Sequence, residues 1–462
     1  MDTETRTMRR GPFLIPPAIR RTFRAFRYRN YRLFFAGQSV SLIGTWMQQL
    51  ALGWLVYRLT DSVMLLGIVG FASQIPSLFL GPLAGALADR YNRRLLLIAT
   101  QILAMVQAFA LSLLVLTGTV RIAHIVALSV VLGVVNAFDM PIRHAFVADI
   151  ITRKEDFGNA IALNSFMFNG TRLVGPPLAG LIIAAAGEGV CFLINALSYL
   201  AVIVSLCLMS ARRTRISAPA PVIQELKEGF LYTFRSPPIR AVIFLVAVLS
   251  LVGLPYGILM PVFARDILRG GAHTLGFLTA AVGTGALAGA VYLASRPSSA
   301  GLGKTIARMT ALFGLGIIAF SFSRLLWLSL SLLLLTGFGI MVLLASCNTI
   351  VQTVVEDDKR GRVMSLYTAA FMGMIPFGSL LAGFIAEKIG ADRAMLLSGT
   401  VCLLVAFLFG AGPALKKEIA RRTRMPATSI PETIPETEAI PFPGERDSLD
   451  DSRTGRFVNN PG

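Results

Sequence analysis

Two ionisable side chains, Asp139 and Arg172, stand inside long apolar stretches of this sequence. An ionised group in hydrocarbon is costly, so such a residue faces a cavity or a charged partner and commonly serves the passage of ions or solutes. Arg172 is a candidate for substrate binding or coupling, with structural bonding to helix carbonyls as an equally open alternative. Asp139 is a candidate proton carrier, with a pairing to Arg143 or Arg90 as its alternative.

The depths of these two residues follow from the predicted helices. Arg172 lies about 14 residues into a span predicted over 158–186, or about 21 Å from its cytoplasmic end at 1.5 Å per residue. Asp139 lies about four residues from the cytoplasmic end of a span predicted over 122–142, or about 6 Å deep. We therefore do not expect a direct ion pair between Asp139 and Arg172.

A stripe of polar side chains follows one face of the first predicted helix. Gln38, Ser41, Thr45 and Gln48 are spaced by three and four residues, which places them on the same side. Because lipid would leave amides without partners, we expect the stripe to face a central cavity. Hydrogen bonding between helices is the alternative. The weaker candidates for lining the cavity are Asn164, Tyr256, Asn348, Gln352 and Tyr367.

These residues require membrane helices to hold them. Of 462 residues, 55% are hydrophobic and 15% are charged, whereas about 25% are charged in water-soluble chains. Continuous apolar runs of about 20 residues are long enough to cross the bilayer and differ from the alternating pattern of outer-membrane barrels. The predicted fold class is all-α integral membrane with twelve spans, over about 33–57, 63–87, 95–117, 122–142, 158–186, 190–210, 239–263, 274–295, 306–323, 325–355, 363–386 and 394–414.

The basic residues predict the orientation of the chain. Most of the 43 Lys and Arg residues fall in the tails and the even-numbered loops, which the positive-inside rule assigns to the cytoplasm. Both termini are therefore expected to be cytoplasmic. The net charge of +18 is expected to face anionic membrane lipid, and no nucleic-acid partner is expected.

An internal repeat predicts two pseudo-symmetric six-helix halves. Residues 158–187 align without a gap on 361–390, and the Leu-Ala-Gly runs at 178–180 and 381–383 coincide. Repeats of this kind are typical of transporters. The predicted organisation comprises a basic N-terminal tail (1–30), the first half (31–210), a cytoplasmic linker (211–238), the second half (239–414) and a disordered cytoplasmic C-terminal tail (415–462).

A charged turn joins the second and third predicted spans and reads GALADRYNRRLLL from Gly85 to Leu97. It resembles the signature motif of the major facilitator superfamily, GxLaDrxGrkxxl, and the residues in register are Gly85, Leu87, Asp89, Arg90, Arg93 and Arg94. Asn92 replaces the usual glycine, and asparagine tolerates the left-handed backbone conformation. The resemblance implies that these residues gate the transporter by stabilising its outward-facing state.

The fifth predicted span contains GPPLAG at 175–180. Proline interrupts the backbone hydrogen bonds of a helix, and glycine permits close helix contact. The segment resembles the superfamily's antiporter motif, GPxxGG, through Gly175, Pro176 and Gly180, with Ala179 in place of one glycine. The resemblance favours export over import. A kinked packing helix without bearing on direction is the alternative.

Two further segments resemble the enterobactin-exporter and macrolide-efflux branch of the superfamily. They are FRYRNYRLFFAGQSVSLIGTWM at 26–47 and the NxxxQ…RGRVMS arrangement that begins at Asn348. The resemblance implies proton-coupled export of a drug-like or siderophore-like small molecule by alternating access, across a bacterial inner membrane and by a functional monomer. Uptake, lysolipid flipping and a non-transporting role as sensor or assembly factor are the alternatives.

The sequence gives no sign of catalytic or metal chemistry. Its four cysteines and three histidines are scattered, so neither a metal site nor a disulfide framework is predicted. The titratable groups are too dispersed to form a catalytic cluster, and no enzyme activity is expected. Because no phosphate-binding loop of the GxxxxGK[ST] type is present, the expected energy source is the proton gradient, with no cofactor.

Overall fold

The computed structural model describes residues 24–209, 230–296, 301–356 and 359–411. Within these ranges all regular structure is helical. The predicted C-terminal tail 415–462, most of the predicted linker 211–238 and most of the N-terminal tail 1–30 lie outside the described residues. The described end of the N-terminal tail forms a 3-10 turn, Arg24–Arg27.

The long helices of the first part of the chain are α1 (Arg29–Thr60), α2 (Val63–Arg90), α3 (Arg93–Leu116), α4 (Ile122–Ile150), α5 (Lys154–Ala186) and α6 (Glu188–Leu208). Those of the second part are α7 (Pro237–Val248, continued irregularly to Ile267), α8 (Ala272–Ala294), α9 (Leu302–Phe322), α10 (Leu326–Val354), α11 (Arg360–Ile389) and α12 (Ala391–Ala411). In the part of the chain that the structure describes, 10 helices are long and apolar enough to cross a membrane. The two outside that set, α1 and α5, contain the polar stripe and Arg172.

The fourth predicted span ends too early in the sequence analysis. Helix α4 continues past the predicted end at residue 142 and stops at Ile150, with Pro141 inside it. Arg143 does not end the helix because its side chain pairs with Asp139 one turn earlier. Asp139 therefore lies about 16 Å from the end of its helix rather than about 6 Å.

The fifth predicted span begins too late. Helix α5 starts at Lys154, so Arg172 lies about 27 Å from that start at 1.5 Å per residue. Arg172 thus remains far from both ends of its helix, as the sequence analysis expects.

The seventh helix is irregular over much of its length. After Pro237–Val248 the backbone forms a π-turn at Leu249–Gly253, a 3-10 segment at Leu254–Leu259 and a second π-turn at Phe263–Ile267. Prolines within this stretch lack the N–H that a regular helix would use, which explains the change of hydrogen-bonding pattern. The irregular part contains Tyr256 in its 3-10 segment and the charged residues Arg265 and Asp266 in its second π-turn.

Two pairs of helices join the two parts of the chain: α2 packs along α11, and α5 packs along α8. Within the first part α2 packs on α4 and α1 packs on α6; within the second part α8 packs on α10 and α9 packs on α12. We call the α2–α11 and α5–α8 contacts the two seams. All other helices are arranged outside or beside these seams.

The seams are closed at one end by backbone contact. A Cβ on Gly67 of α2 would lie 2.7 Å from the Ser379 carbonyl oxygen of α11, and one on Gly276 of α8 would lie 2.8 Å from the Pro176 carbonyl oxygen of α5. Only glycine permits helices to approach so closely. We call this end, where α2 and α8 begin and α5 and α11 end, the sealed end.

Glycines toward the opposite end of these helices make no such contact. A Cβ on Gly85 of α2, Gly158 of α5 or Gly361 of α11 would meet no described atom within 4 Å. We call this end, where α2 and α8 end and α5 and α11 begin, the open end. The close glycine contacts of the seams therefore lie toward one end of the helices.

The backbone contact at Gly67 predicts a specific effect on stability. Gly67→Ala places a methyl group against the Ser379 carbonyl and should destabilise the protein by about 1–3 kcal/mol through overpacking. Gly158→Ala is the matched control, because its methyl group meets open space and alanine favours the helix by about 0.4–1 kcal/mol. Thermal unfolding of the purified protein in detergent measures both. Equal unfolding temperatures would contradict the close packing of the seam.

Candidate functional site

An aromatic and cationic cluster lies between α1 and α5. The guanidinium carbon of Arg172 is 5.3 Å from the centroid of the Trp46 ring. Phe168, one helical turn earlier on α5, contacts the same ring edge-on with centroids 5.5 Å apart. Asn164 precedes Phe168 by one further turn, so α5 presents these three side chains along one face. Tyr256 of α7 is buried within electrostatic range of Arg172.

Several polar atoms of this cluster have no partner. The Arg172 Nε, the Trp46 Nε1 and the Asn164 Oδ1 are buried, and none of them forms a hydrogen bond with a described residue. No described carboxylate lies within ion-pair distance of Arg172. Buried polar groups in native proteins are almost always paired, so these exceptions indicate a ligand or a functional state.

The GPPLAG segment positions Arg172. A Cβ on Gly175 would lie 2.7 Å from the Trp46 Cβ, so the glycine lets α1 approach α5 and brings the indole to the guanidinium. Pro176 lacks the N–H that would bond the Arg172 carbonyl. Gly180 meets the Ala272 carbonyl oxygen at the sealed end of the α5–α8 seam, with 2.7 Å to a Cβ built on it. The motif thus fits α5 between α1 and α8.

Asp139 is buried among hydrogen-bond donors of α3 and α4. Its Oδ1 accepts hydrogen bonds from Thr100 Oγ1 at 2.9 Å and from Gln101 Nε2 at 2.7 Å. Its Oδ2 pairs with the Arg143 guanidinium. The side chain is only 3% exposed. The pairing with Arg143 is one of the two that the sequence analysis left open, and Arg172 is not among the hydrogen-bond or ion-pair partners of Asp139 in the described residues.

The polar stripe of α1 faces other helices. The Asn195 Nδ2 of α6 donates to the Gln48 Oε1 at 2.7 Å, and the Gln48 Nε2 donates to the Gln107 Oε1 of α3 at 3.1 Å. Gln38 and Ser41 are also buried, at 2% and 3% exposure. For Gln48 the structure shows the helix-to-helix bonding that was the alternative to a cavity, because three amides on neighbouring helices satisfy one another.

The remaining members of the polar set take different positions. Thr45 Oγ1 donates to the Ser41 carbonyl within α1, and Gln38 keeps a buried Nε2 without a partner among the described residues. Gln352 donates to Asn348 at 2.7 Å on an exposed face of α10. The buried Tyr367 hydroxyl of α11 donates to the Leu344 carbonyl of α10 at 3.2 Å, so it fastens two helices together. These residues do not converge on Arg172.

The charged turn between α2 and α3 is held by its asparagine. Asn92 has φ −66° and lies in the extended region, and its Oδ1 accepts hydrogen bonds from the backbone N–H groups of Arg94 and Leu95. Asn92 therefore serves as the N-cap of α3 and does not use the left-handed conformation that asparagine tolerates. Asparagine is one of the residues preferred at an N-cap, which explains why it replaces glycine in this turn.

The arginines of this turn tie helices together at the open end. Arg93 donates to the Ala88 carbonyl of α2 and to Asp149 of α4, each at 2.9 Å. Arg94 donates to the Cys207 carbonyl at the end of α6 at 2.8 Å. Arg90 is exposed. The Asp89 side chain lies outside the described residues, and its predicted role stays a prediction.

A carboxylate closes the sealed end of the α2–α11 seam. Glu387 of α11 accepts hydrogen bonds from the backbone N–H groups of Val63 and Met64, at 2.8 and 3.0 Å, and from the Ser62 hydroxyl at 3.3 Å. These donors form the N-terminus of α2, where unsatisfied N–H groups and the helix dipole favour a negative charge. The sequence analysis missed Glu387, since only the fold brings it to another helix's end.

Two further contacts join α1 to α7 at the sealed end. The Arg265 guanidinium pairs with the Asp61 carboxylate at 2.5 Å and lies 5.5 Å from the Tyr57 ring. The Tyr57 hydroxyl donates to Asp266. Together with Glu387 these residues connect the first and second parts of the chain. They too were absent from the sequence predictions, although their charges border predicted spans.

Membrane-length helices joined along two seams, with an arginine far from both ends of its helix, are typical of a multi-pass membrane transporter. A family model described as transmembrane secretion effector matches residues 20–437, and the chain belongs to this family of the major facilitator superfamily. The superfamily that the sequence resembles is thereby confirmed. Members of this family are transporters of small molecules and not enzymes.

Bacterial relatives match almost their whole length. The staphyloferrin A transporter of Staphylococcus aureus is 27% identical over 82% of this chain and 95% of its own. Macrolide efflux protein A of Streptococcus pyogenes is 24% identical over 83% of this chain and 96% of its own. These relatives indicate a bacterial plasma membrane.

Solved structures share the fold at low identity. A bacterial homologue of the human lysosomal transporter Spinster, in an inward-facing and occupied conformation, superposes with a TM-score of 0.68 at 13% identity, covering 87% of this chain and 99% of that chain. A POT family transporter in complex with 5-aminolevulinic acid gives a TM-score of 0.67 at 11% identity, covering 85% of this chain and 97% of that chain.

The cap formed by Glu387 predicts how the sealed end opens. Glu387→Ala removes a charge-assisted hydrogen bond worth about 1.5 kcal/mol or more, which should shift the opening equilibrium about tenfold. The probe is Ala272→Cys, buried in the other seam, in a background without the four native cysteines. A maleimide should label the purified protein faster in the Glu387→Ala variant.

The matched control is Glu356→Ala, which removes an exposed carboxylate that pairs with Lys359 away from the sealed end. It should leave the labelling rate of the introduced thiol unchanged. Equal rates in the Glu387→Ala variant and its parent would show that the carboxylate does not hold this end closed.

Proposed function

We propose that this protein is a proton-coupled exporter of a drug-like or siderophore-like small molecule that works by alternating access. It consists of twelve membrane spans in two pseudo-symmetric halves, with both termini in the cytoplasm, and acts as a monomer. The proton gradient supplies the energy, with no cofactor. The observation that carries this proposal is the pair of helix seams, which make their closest contacts toward one end, with Arg172 between the two ends.

The two seams support a symmetric mechanism. The internal repeat pairs α5 with α11, and the run Leu-Ala-Gly-Ala at 83–86 of α2 recurs at 287–290 of α8, so the α2–α11 seam and the α5–α8 seam are equivalent under the repeat. Rocking of the halves about the central site would separate both seams at the sealed end and bring them together at the open end. Movement of this kind, around a site shared between repeats, gives alternating access.

The direction of opening follows from the arginines. Arg90, Arg93 and Arg94 lie at the open end, where α2 meets α3. By the positive-inside rule this end faces the cytoplasm. In the proposed cycle the substrate enters at this end, and its release at the sealed end completes export. The direction is supported by the antiporter-like motif of Gly175, Pro176 and Gly180 and by the name of one relative, macrolide efflux protein A.

Asp139 supports the coupling of export to protons. A buried carboxylate with an arginine partner has two well-defined states: ionised and paired with Arg143, or protonated with Arg143 released. In a helix bundle such groups commonly form the proton relays of transporters. Protonation would remove the charge that holds Arg143, Thr100 and Gln101 together, which links proton binding to the packing of α3 against α4.

Transport assays in a bacterial host stripped of its own pumps test the proposal. Cells expressing the native chain should accumulate less of some members of a panel of hydrophobic antibiotics, dyes and catechol-type chelators, and a protonophore should abolish the difference. Asp139→Asn should remove the dependence of export on pH, because the amide cannot exchange a proton.

The matched control is Asp392→Asn, whose carboxylate pairs with Arg324 at 3.6 Å and is partly exposed. This variant should export like the native chain. Export by Asp139→Asn with the native pH dependence would exclude Asp139 as the proton carrier. Unchanged accumulation of every compound, with the native chain verified in the membrane, would exclude export of these classes.

A further inference from the structure

We infer that Trp46, Phe168, Arg172 and Tyr256 form an anion-binding subsite, and that the substrate is an amphipathic organic acid, a carboxylate attached to an apolar or aromatic body. This inference rests on the proposed transport function and gives its substrate a chemical class. It starts from the two buried donors of the cluster that lack acceptors.

The unpartnered donors require an acceptor. A guanidinium carries five N–H donors and an indole carries one, and neither accepts hydrogen bonds. In this structure the Arg172 Nε and the Trp46 Nε1 are buried without a partner among the described residues. The group that complements both is an oxygen acceptor with negative charge, and arginine binds carboxylates through paired hydrogen bonds of particular strength.

The charge of Arg172 is not neutralised by the described protein. Other arginines of the described helices bond a buried carboxylate directly, as Arg58 does with Glu188 and Arg143 does with Asp139. Arg172 instead lies against the Trp46 ring. This contact orients the guanidinium but leaves its N–H groups free. The uncompensated positive charge of Arg172 therefore attracts an anionic ligand and repels a cationic one.

The surroundings of the guanidinium are aromatic. Phe168 is 40% exposed and stands edge-on to Trp46, while Tyr256 packs edge-on against Phe313 at 5.9 Å. Flat apolar surfaces beside a single charged group are typical of sites for small organic ligands. A ligand with its carboxylate at Arg172 would place its apolar part along Phe168, toward the open end.

The test compares an acid with its amide. Isothermal titration calorimetry of the full chain in phosphatidylcholine nanodiscs, corrected with empty nanodiscs, uses 1-naphthylacetate and 1-naphthylacetamide, which share one body and differ in charge. We expect the acid to bind at least about tenfold more tightly, as loss of a charged hydrogen-bond partner implies. Arg172→Met should remove that difference by weakening only the acid.

Two further variants sharpen the test. Trp46→Phe retains an aromatic ring but removes the indole N–H, and it should weaken the acid more than the amide because the carboxylate is the stronger acceptor. Arg324→Met, which removes an arginine that pairs with Asp392, is the matched control and should bind both compounds like the native chain. Thermal unfolding of each variant confirms that it is folded.

The outcomes separate this inference from the proposed function. Equal affinities for acid and amide, an unchanged affinity of Arg172→Met for the acid, or binding of neither compound would each overturn the anion-binding subsite, even if cells still export other molecules. Preference for the acid that depends on Arg172, in a protein that drives no proton-dependent export, would retain the subsite and overturn the exporter.

Discussion

The arrangement of this protein depends on direct backbone contact between helices at the two seams. At Gly67 and Gly276 the neighbouring carbonyl oxygen lies where any other residue would carry its Cβ. In a membrane no hydrophobic effect drives helices together, so close van der Waals contact of small residues determines which helices join. The closest of these contacts lie at the sealed end, contacts continue to the middle of the helices at Gly283 and Gly373, and a Cβ on Gly85, Gly158 or Gly361 toward the open end meets no described atom within 4 Å. Arg172 lies between the two ends.

Polar side chains in the helices divide into satisfied and unsatisfied groups. Gln48, Gln107 and Asn195 satisfy one another across three helices, and Asp139 receives hydrogen bonds from α3 and α4. Such groups hold helices in register, because separating them would leave amides or a carboxylate without partners in hydrocarbon. Single buried atoms of Gln101 and Arg143 also lack a partner in the described part of the chain, but the same side chains bond to Asp139. Arg172 and Trp46 differ because the described residues offer no acceptor to either buried donor, and Arg172 lies against the Trp46 ring.

The helices are held together at the sealed end by contacts that can also be broken when the helices move apart. Glu387 binds the start of α2, and Arg265 binds Asp61 of the loop after α1. Each contact is made by side chains at helix ends, where water can replace the lost hydrogen bonds when the seam separates. Tyr256 and Arg265 both lie in the irregular part of α7, Tyr256 in the 3-10 segment Leu254–Leu259 and Arg265 in the π-turn Phe263–Ile267. One helix therefore touches both the sealed end and the aromatic cluster.

The sequence alone predicted the helices, because the length of an apolar run and the charged residues that interrupt it are local properties of the chain. It located most helix ends to within a few residues, placed Arg172 and Asp139 inside predicted spans, and indicated the superfamily through short motifs. It could not find Trp46 or Glu387, whose partners lie on other helices, and it could not tell whether Gln48 faces a cavity or another amide. A stripe of polar residues defines a face of a helix, but only packing decides what that face meets. Tertiary structure therefore decided which polar groups are satisfied, and which end of the bundle is closed.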